Sequence, residues 1–172
     1  TIPEEKGSFL SFCKSLEGRS ITEFNYRYNA FLGEAAHIFA GVRLQQDETS
    51  LHVCKALRDS GYSVDDLSQN EMAKLHIRYM IGGSSGAITN ERLYRFQFPE
   101  RPGALLNFLT TLGASYNITL FHYRNHGAAY GRVLIGIQIP EAELDLFYHA
   151  MNILNYPYFD ETQNPGYPLF LR

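Results

Sequence analysis

The sequence repeats itself, and this constrains the fold more than any other feature of the chain. Residues 2–10 (IPEEKGSFL) return 96 positions later as residues 98–106 (FPERPGALL). Residues 21–27 (ITEFNYR) return 97 positions later as residues 118–124 (ITLFHYR). An ordered series of matches at a nearly constant offset indicates a duplication, in which each copy forms the same supersecondary unit. The 172 residues are therefore expected to form two similar units.

A short run of glycine and serine separates the two copies. Residues 82–86 (GGSSG) have the composition of a flexible linker. The predicted organisation is a first subdomain over residues 1–82 (copy one), a linker over residues 83–90 and a second subdomain over residues 91–172 (copy two).

Two helices are predicted in each copy. The first has an apolar stripe with the spacing of one helix face, at Phe9, Phe12, Cys13 and Leu16 in copy one and at Leu105, Phe108, Leu109 and Leu112 in copy two. The second is predicted at residues 48–60, before Gly61, and at residues 141–154.

Strands are predicted around these helices. Alternating apolar residues mark two strands in each copy, at residues 24–28 and 37–44 and at residues 121–123 and 132–139. A short strand closes each copy at residues 62–64 or 156–159, and an additional strand is predicted at residues 75–80 and 169–172. The order predicts an α+β fold of two tandem ferredoxin-like βαββαβ units, with antiparallel sheets and helices on one face.

Composition excludes several classes of function. The formal net charge of −3 argues against a nucleic-acid surface, which needs clustered lysine and arginine. No apolar run approaches the ~20 residues of a membrane helix. Patterns typical of a nucleophile elbow, a phosphate loop or a carboxylate pair are absent from the sequence. His122 and His126 have the spacing of a zinc pair, but they fall on a predicted strand and turn without a nearby third ligand. We therefore predict no catalytic site, no metal site, and neither nucleic acid nor membrane as a partner.

The repeated Pro-Glu-x-x-Gly motif is the first candidate for ligand binding. It places Gly7 and Gly103 where a strand leads into a helix. A glycine lets a ligand approach the backbone closely, and the free amides of the helix that follows favour a carboxylate. The motif would suit the carboxylate of an amino acid. A turn glycine without a ligand is the alternative, because a duplication also copies structural glycines.

The repeated strand is the second candidate. Alternation places its aromatic residues on one face, at Phe24, Tyr26, Phe121 and Tyr123. Arg27 and Arg124 fall on the other face. A tyrosine hydroxyl can hold an ammonium or a carboxylate, and arginine can bind a carboxylate with two hydrogen bonds. The alternative is that the tyrosines pack under the helices and the arginines lie in solvent or in ion pairs.

These segments resemble a known family. Residues 100–105 (ERPGAL) are similar to the signature turn of ACT-type amino-acid-binding domains. Residues 23–27 (EFNYR), 75–83 (LHIRYMIGG) and 117–124 (NITLFHYR) resemble the C-terminal regulatory region of biosynthetic threonine deaminase, also called threonine dehydratase. The resemblance extends over nearly the whole chain.

The resemblance implies an allosteric domain with no cofactor of its own. It implies isoleucine as the feedback inhibitor and valine as the activator in isoleucine biosynthesis. The parent enzyme would convert threonine to 2-oxobutanoate and ammonia in a separate catalytic domain that binds pyridoxal phosphate. It would form a homotetramer, in the cytoplasm or, in a eukaryote, in a plastid or mitochondrion. A ligand-free oligomerisation module is the alternative, and an RNA-binding ferredoxin-like module is a weaker one.

The resemblance also assigns residues to the effector site. It implies roles for Tyr26, Tyr123, Arg124 and Arg78. Together with the motifs above, the predicted effector-binding set is Tyr26, Tyr123, Arg124, Arg27, Arg78, Gly7, Gly103, Leu105, Phe24 and Phe121. Copy one departs from the signature turn, with Lys6 in place of Pro102 and Phe9 in place of Leu105. The two copies are therefore expected to differ in affinity or selectivity.

Overall fold

Copy one contains short strands and helices. The computed structural model describes residues 1–28, 35–71, 73, 88–124, 130–165, 167–168 and 171. The elements of copy one are β1 (Ile2–Pro3), α1 (Ser8–Ser15), β2 (Ile21–Arg27), β3 (Ala35–Ala36), β4 (Phe39–Val42) and α2 (Ser50–Asp59).

Copy two contains the full ferredoxin-like order. Its elements are β5 (Glu91–Pro99), α3 (Ala104–Phe108), β6 (Asn117–Arg124), β7 (Tyr130–Gln138), α4 (Leu144–Leu154) and β8 (Tyr158–Asp160). Helix α3 continues into a π-helical turn at Leu109–Gly113, and a 3₁₀ turn at Glu141–Glu143 leads into α4. The strand order β8-β5-β7-β6 is that of an antiparallel ferredoxin-like sheet.

One continuous sheet joins the two copies. Its six strands lie in the order β4-β2-β6-β7-β5-β8, and each neighbouring pair is antiparallel. The joint is the pairing of β2 with β6, which places Phe24 opposite Tyr123 and Tyr26 opposite Phe121. The two repeated strands predicted to carry the ligand site are therefore neighbours in the middle of the sheet.

Aromatic side chains form the core on the helix-covered face of this sheet. Phe24 and Phe121 meet at the joint with their ring centroids 5.8 Å apart, and Phe9 of α1 packs against both. In copy two, Phe147 of α4 is fully buried. Aromatic pairs at such distances add stabilisation beyond the burial of their area. The many phenylalanines and tyrosines of the chain therefore hold the helices on the sheet and the two copies together.

The fold class is confirmed, and some details of the strands differ from the prediction. The predicted strand 37–44 is confirmed only over β4, because residues 37–38 and 43–44 are irregular, and β3 lies just before it. The closing strand predicted at 62–64 is wrong because those residues are irregular. Residues 75–80 lie outside the described residues. Of the other additional strand the structure describes Leu171 alone, whose amide donates to the carbonyl of Tyr167 in a helical turn. The subdomain boundaries stay a prediction.

Candidate functional site

Two equivalent turns lead from a strand into a helix. Gly7 precedes α1 with φ of 85°, and Gly103 precedes α3 with φ of 81°. Side chains rarely adopt this left-handed conformation, so both turns favour glycine. A Cβ built on either glycine would meet no atom within 4 Å. The space on the side of each glycine where a Cβ would lie is therefore open. We call the turn 4–7 with Tyr26 junction one, and the turn 100–103 with Tyr123 junction two.

Junction one is built around a glutamate and a tyrosine. The hydroxyl of Tyr26 on β2 donates to Oε1 of Glu4, with the two oxygens 2.5 Å apart. Burial raises the pKa of Glu4, although the hydrogen bond from Tyr26 lowers it in part. Burial, and then the Glu4 carboxylate, also raise the pKa of Tyr26. Tyr26 therefore stays a neutral donor, and Glu4 is a half-buried acid that a cation would stabilise.

A small cavity lies at junction one between the two copies. Copy one contributes β1, the turn, Ser8, Phe9 and Tyr26, and copy two contributes residues 116–118. The cavity volume is about 30 Å³, close to that of one water molecule. Oγ of Ser8 is buried, and among the described residues no group hydrogen bonds to it. A buried hydroxyl in that position is suited to a polar ligand group.

Junction two brings together the equivalent side chains. A Cβ built on Gly131 would lie 2.6 Å from Cε2 of Tyr123 and 2.9 Å from Oε1 of Glu100. Both side chains therefore lie against the same glycine of β7. Glu100 and Tyr123 correspond to Glu4 and Tyr26 in the repeat, so each junction contains one glutamate, one tyrosine and one left-handed glycine.

The predicted apolar site residues lie in or beside the core. Phe24 is buried and also lines the cavity of junction one. Phe121 is fully buried at the strand joint. Leu105 is partly buried at the start of α3 and packs against the core. Of these three residues, Phe24 lines junction one, whereas Phe121 and Leu105 belong to the core or pack against it.

Arg27 and Arg124 lie on the face of the sheet opposite the tyrosines of the junctions. Nη1 of Arg27 lies 2.6 Å from Oε1 of Glu91 on the opposite face of the sheet, where both side chains are buried. Arg124 lies at the end of β6, on the face opposite Tyr123 and paired in register with Glu23. Arg78 lies outside the described residues. The structure thus brings Gly7 and Tyr26 to one cavity and places Tyr123 and Glu100 against the same glycine of β7, and it leaves Arg27 in a separate network.

Three site residues were missed by reasoning from the sequence. Glu4 and Glu100 follow the proline of the repeated motif, and their identity at equivalent positions was the available signal. Ser8 gave no comparable signal, because copy two has Ala104 at that position.

Within the described ranges, other kinds of site were not found. No helix there is both long and apolar enough to cross a membrane. No three histidine, cysteine, aspartate or glutamate side chains there are grouped as metal ligands would be.

Comparison with known sequences identifies the family. The sequence model of the C-terminal regulatory domain of threonine dehydratase matches residues 1–77 and 82–171. The chain belongs to this family. In this threonine dehydratase regulatory domain, the glycine, glutamate and tyrosine residues of both junctions lie within the matched residues.

Similar full-length proteins extend this result. The regulatory domain is 55% identical to the biosynthetic L-threonine dehydratase of Escherichia coli (strain K12), covering 99% of the chain and 33% of that protein. It is 44% identical to the mitochondrial threonine dehydratase of Saccharomyces cerevisiae, covering 100% of the chain and 31% of that protein. The biosynthetic, chloroplastic enzyme of Arabidopsis thaliana is 39% identical, with 99% of the chain and 28% of that protein covered. The chain spans about a third of the length of these curated relatives.

Proposed function

We propose that this domain binds isoleucine as a feedback inhibitor and valine as an activator of a threonine dehydratase, at the two junctions. The observation that carries the proposal is the repeated set of glutamate, tyrosine and left-handed glycine, within a chain of a regulatory family. Two such sets in one chain suit an enzyme that responds to two related amino acids.

The chemistry of junction one suits a free amino acid. Glu4 would accept hydrogen bonds from the ammonium group, and Tyr26 orients that carboxylate. The amides that open α1 and the buried hydroxyl of Ser8 would donate to the ligand carboxylate. An aliphatic side chain would lie against Ile38 and Ile118, which line the cavity. In junction two, Glu100 and Tyr123 would take the roles of Glu4 and Tyr26.

Binding would change the relation between the two copies. The cavity of junction one holds about 30 Å³, which is too small for isoleucine, so the ligand would select a state with the turn displaced. That displacement acts across the boundary between the copies, because copy two forms one wall. An effector shifts such an equilibrium only by its difference in affinity for the two states.

Opposite effects of isoleucine and valine need different junctions or different states. One methylene contributes only about 1–3 kcal/mol to discrimination in an apolar site. The junctions themselves differ, since copy one has Lys6 and Phe9 where copy two has Pro102 and Leu105. This difference would allow one junction to prefer the larger ligand.

The catalytic chemistry would belong to another part of the parent enzyme. Lys6, Lys14 and Lys55 are exposed, and Lys55 pairs with Asp59. A lysine that forms a Schiff base is usually desolvated, so these residues do not suit pyridoxal phosphate. We place the cofactor and the deamination of threonine in the catalytic domain of the same polypeptide. We expect that polypeptide to be a tetramer in the cytoplasm, or in a plastid or mitochondrion in a eukaryote.

Replacing Tyr26 by phenylalanine should weaken isoleucine binding at junction one about tenfold or more. The hydroxyl bonded to the Glu4 carboxylate is lost, and a hydrogen bond to a charged group contributes about 1.5–3 kcal/mol. The measurement is calorimetric titration with isoleucine and valine, with threonine and leucine as controls. Tyr123→Phe is the matched variant for junction two. Saturable isoleucine binding that neither variant weakens would remove both tyrosines from the site.

Isoleucine affinity should fall as the pH drops through the raised pKa of Glu4. Only the ionised carboxylate attracts the ligand ammonium, and burial places this pKa above its ordinary value. Protonation has the opposite effect on the free domain, which gains stability below that pKa because the folded state holds the proton more tightly. The check is titration at a series of pH values. Glu4→Gln should remove the dependence, whereas Glu5→Gln, at an exposed neighbour, should keep it.

A further inference from the structure

One buried polar group distinguishes the two junctions. Ser8 is the first residue of α1 and lines the cavity of junction one. Its counterpart in the repeat is Ala104, the first residue of α3. Both positions are enclosed, because Ser8 is 7% exposed and Ala104 is 6% exposed. The hydroxyl of Ser8 is therefore the difference between two equivalent and equally buried positions.

The hydroxyl of Ser8 does not contribute to the free domain. Within the part of the chain that the structure describes, Oγ of Ser8 has no hydrogen-bond partner. A buried hydroxyl in that situation lowers stability, because its lost hydration is not replaced. Alanine fills the same position in copy two without this cost. A group that enters junction one from outside would give the hydroxyl its partner.

Two backbone amides beside Ser8 are equally available. They belong to Phe9 and Leu10, and neither has an acceptor among the residues described by the structure. The next amide, that of Ser11, already donates to the carbonyl of Gly7 at 2.9 Å. Free amides in the first turn of a helix favour an anion. The buried hydroxyl therefore stands next to two further donors.

Copy two offers the amides without the hydroxyl. The amide of Asn107 donates to the carbonyl of Gly103 at 2.8 Å, which repeats the bond between Ser11 and Gly7. The methyl group of Ala104 cannot donate a hydrogen bond. Junction two therefore presents fewer donors to an anion than junction one does.

The cavity of junction one matches both charged ends of an amino acid. Glu4 and Ser8 line the same cavity. The Glu4 carboxylate would attract the ammonium group and repel a second carboxylate placed beside it. The hydroxyl of Ser8 and the amides of Phe9 and Leu10 are donors, which suit the carboxylate of the ligand. One ligand could therefore bind to Glu4 and to Ser8 at the same time, each with the appropriate end.

We propose that Ser8 makes junction one selective for ligands with a free α-carboxylate, and that junction two, with Ala104, depends less on this group. The selectivity rests on the proposed function, since both junctions must first bind amino acids. It adds a difference in ligand chemistry between them. Junction one would discriminate against an amino acid whose carboxylate is amidated, and junction two would discriminate less.

The first test compares L-isoleucine with L-isoleucinamide, in which an uncharged amide replaces the carboxylate. The variant is Ser8→Ala, and Tyr123→Phe is present in every chain compared so that junction two is weakened equally. Calorimetric titration should show isoleucine affinity falling about tenfold or more, and isoleucinamide affinity only about threefold. A hydrogen bond to a charged acceptor is stronger than one to an uncharged acceptor. Ser11→Ala, at an exposed serine of the same helix, should change neither affinity.

The second test measures the ligand-free domain. Ser8→Ala should raise its Tm by about 2–4 °C, because a buried hydroxyl without a partner is removed. A serine needed for the fold would give the opposite sign. Ala104→Ser is the converse variant, and it should lower the Tm. In a background with Tyr26→Phe, Ala104→Ser should strengthen isoleucine binding at junction two.

The outcomes separate this selectivity from the proposed function. Saturable isoleucine binding that Ser8→Ala leaves unchanged, or weakens equally for both ligands, would overturn the role of Ser8 and leave the proposed function standing. A lower Tm for Ser8→Ala would overturn it as well, because the hydroxyl would then stabilise the free domain. Absence of isoleucine binding to the unaltered chain would overturn the proposed function and the selectivity together.

Discussion

Replacing Arg27 by methionine is expected to lower the free energy of unfolding by about 3–5 kcal/mol. The side chains of Arg27 and Glu91 are only 5% and 3% exposed, and their closest nitrogen and oxygen lie 2.6 Å apart. Without the guanidinium, Glu91 keeps the hydroxyl donors of Thr119 and Tyr167 but loses its ion-pair partner. A buried carboxylate without a cation is costly, because desolvation is no longer offset by the ion pair.

Urea denaturation followed by circular dichroism is the measurement. Arg92→Met is the matched control, since Arg92 pairs with a Glu141 side chain that is 84% exposed, and it should cost less than about 1 kcal/mol. The double variant Arg27→Met with Glu91→Met should recover much of the lost stability, because no buried charge remains. An equal cost for Arg27→Met and Arg92→Met would contradict the role of burial.

The ion pair of Arg27 with Glu91 also connects the two copies. Arg27 belongs to β2 of copy one, and Glu91 begins β5 of copy two. A Cβ on Gly136 would lie 2.7 Å from Oε1 of Glu91, so the network is tightly packed against β7. It lies on the face of the sheet opposite Tyr26. The proposed effector site with Tyr26 on one face and the ion pair on the other face therefore share strand β2.

Local patterns in the sequence predicted most of the elements in their order, although the strand at 62–64 is wrong. The apolar stripes of Phe9 and Phe12 and the alternation around Ile135 follow from the periods of helix and strand. The duplication then gave two units of one kind. The break between β3 and β4 could not be predicted, because the apolar residues of 35–42 run across it without a turn signal.

The candidate site was predicted in part. Gly7 and Tyr26 were selected as separate motifs, and the fold brings them together through Glu4. The ion pair of Arg27 with Glu91 could not be predicted, because Glu91 lies 64 residues away in the sequence. The pairing of β2 with β6 is likewise a tertiary contact that local patterns do not show. Charge and spacing along one strand show the face of a residue but not what covers that face.

Replacing Phe147 by alanine should also cost about 3–5 kcal/mol, which is the usual range for a buried phenylalanine. Phe147 is fully buried on α4, and its ring centroid lies 5.3 Å from those of both Tyr94 and Tyr116. The space left by the ring cannot collapse easily, because strands and aromatic neighbours enclose it. Thermal and urea denaturation of the variant measure the loss.

Val53, the counterpart of Phe147 in copy one, provides a matched substitution in a less completely packed core. Val53 of α2 lies 94 positions earlier and borders a cavity of about 560 Å³ beneath α2. Val53→Ala should cost only about 1 kcal/mol in this chain, because the side chain already faces incomplete packing. A loss as large as that of Phe147→Ala would show that the packing around Val53 is as complete as the packing around Phe147.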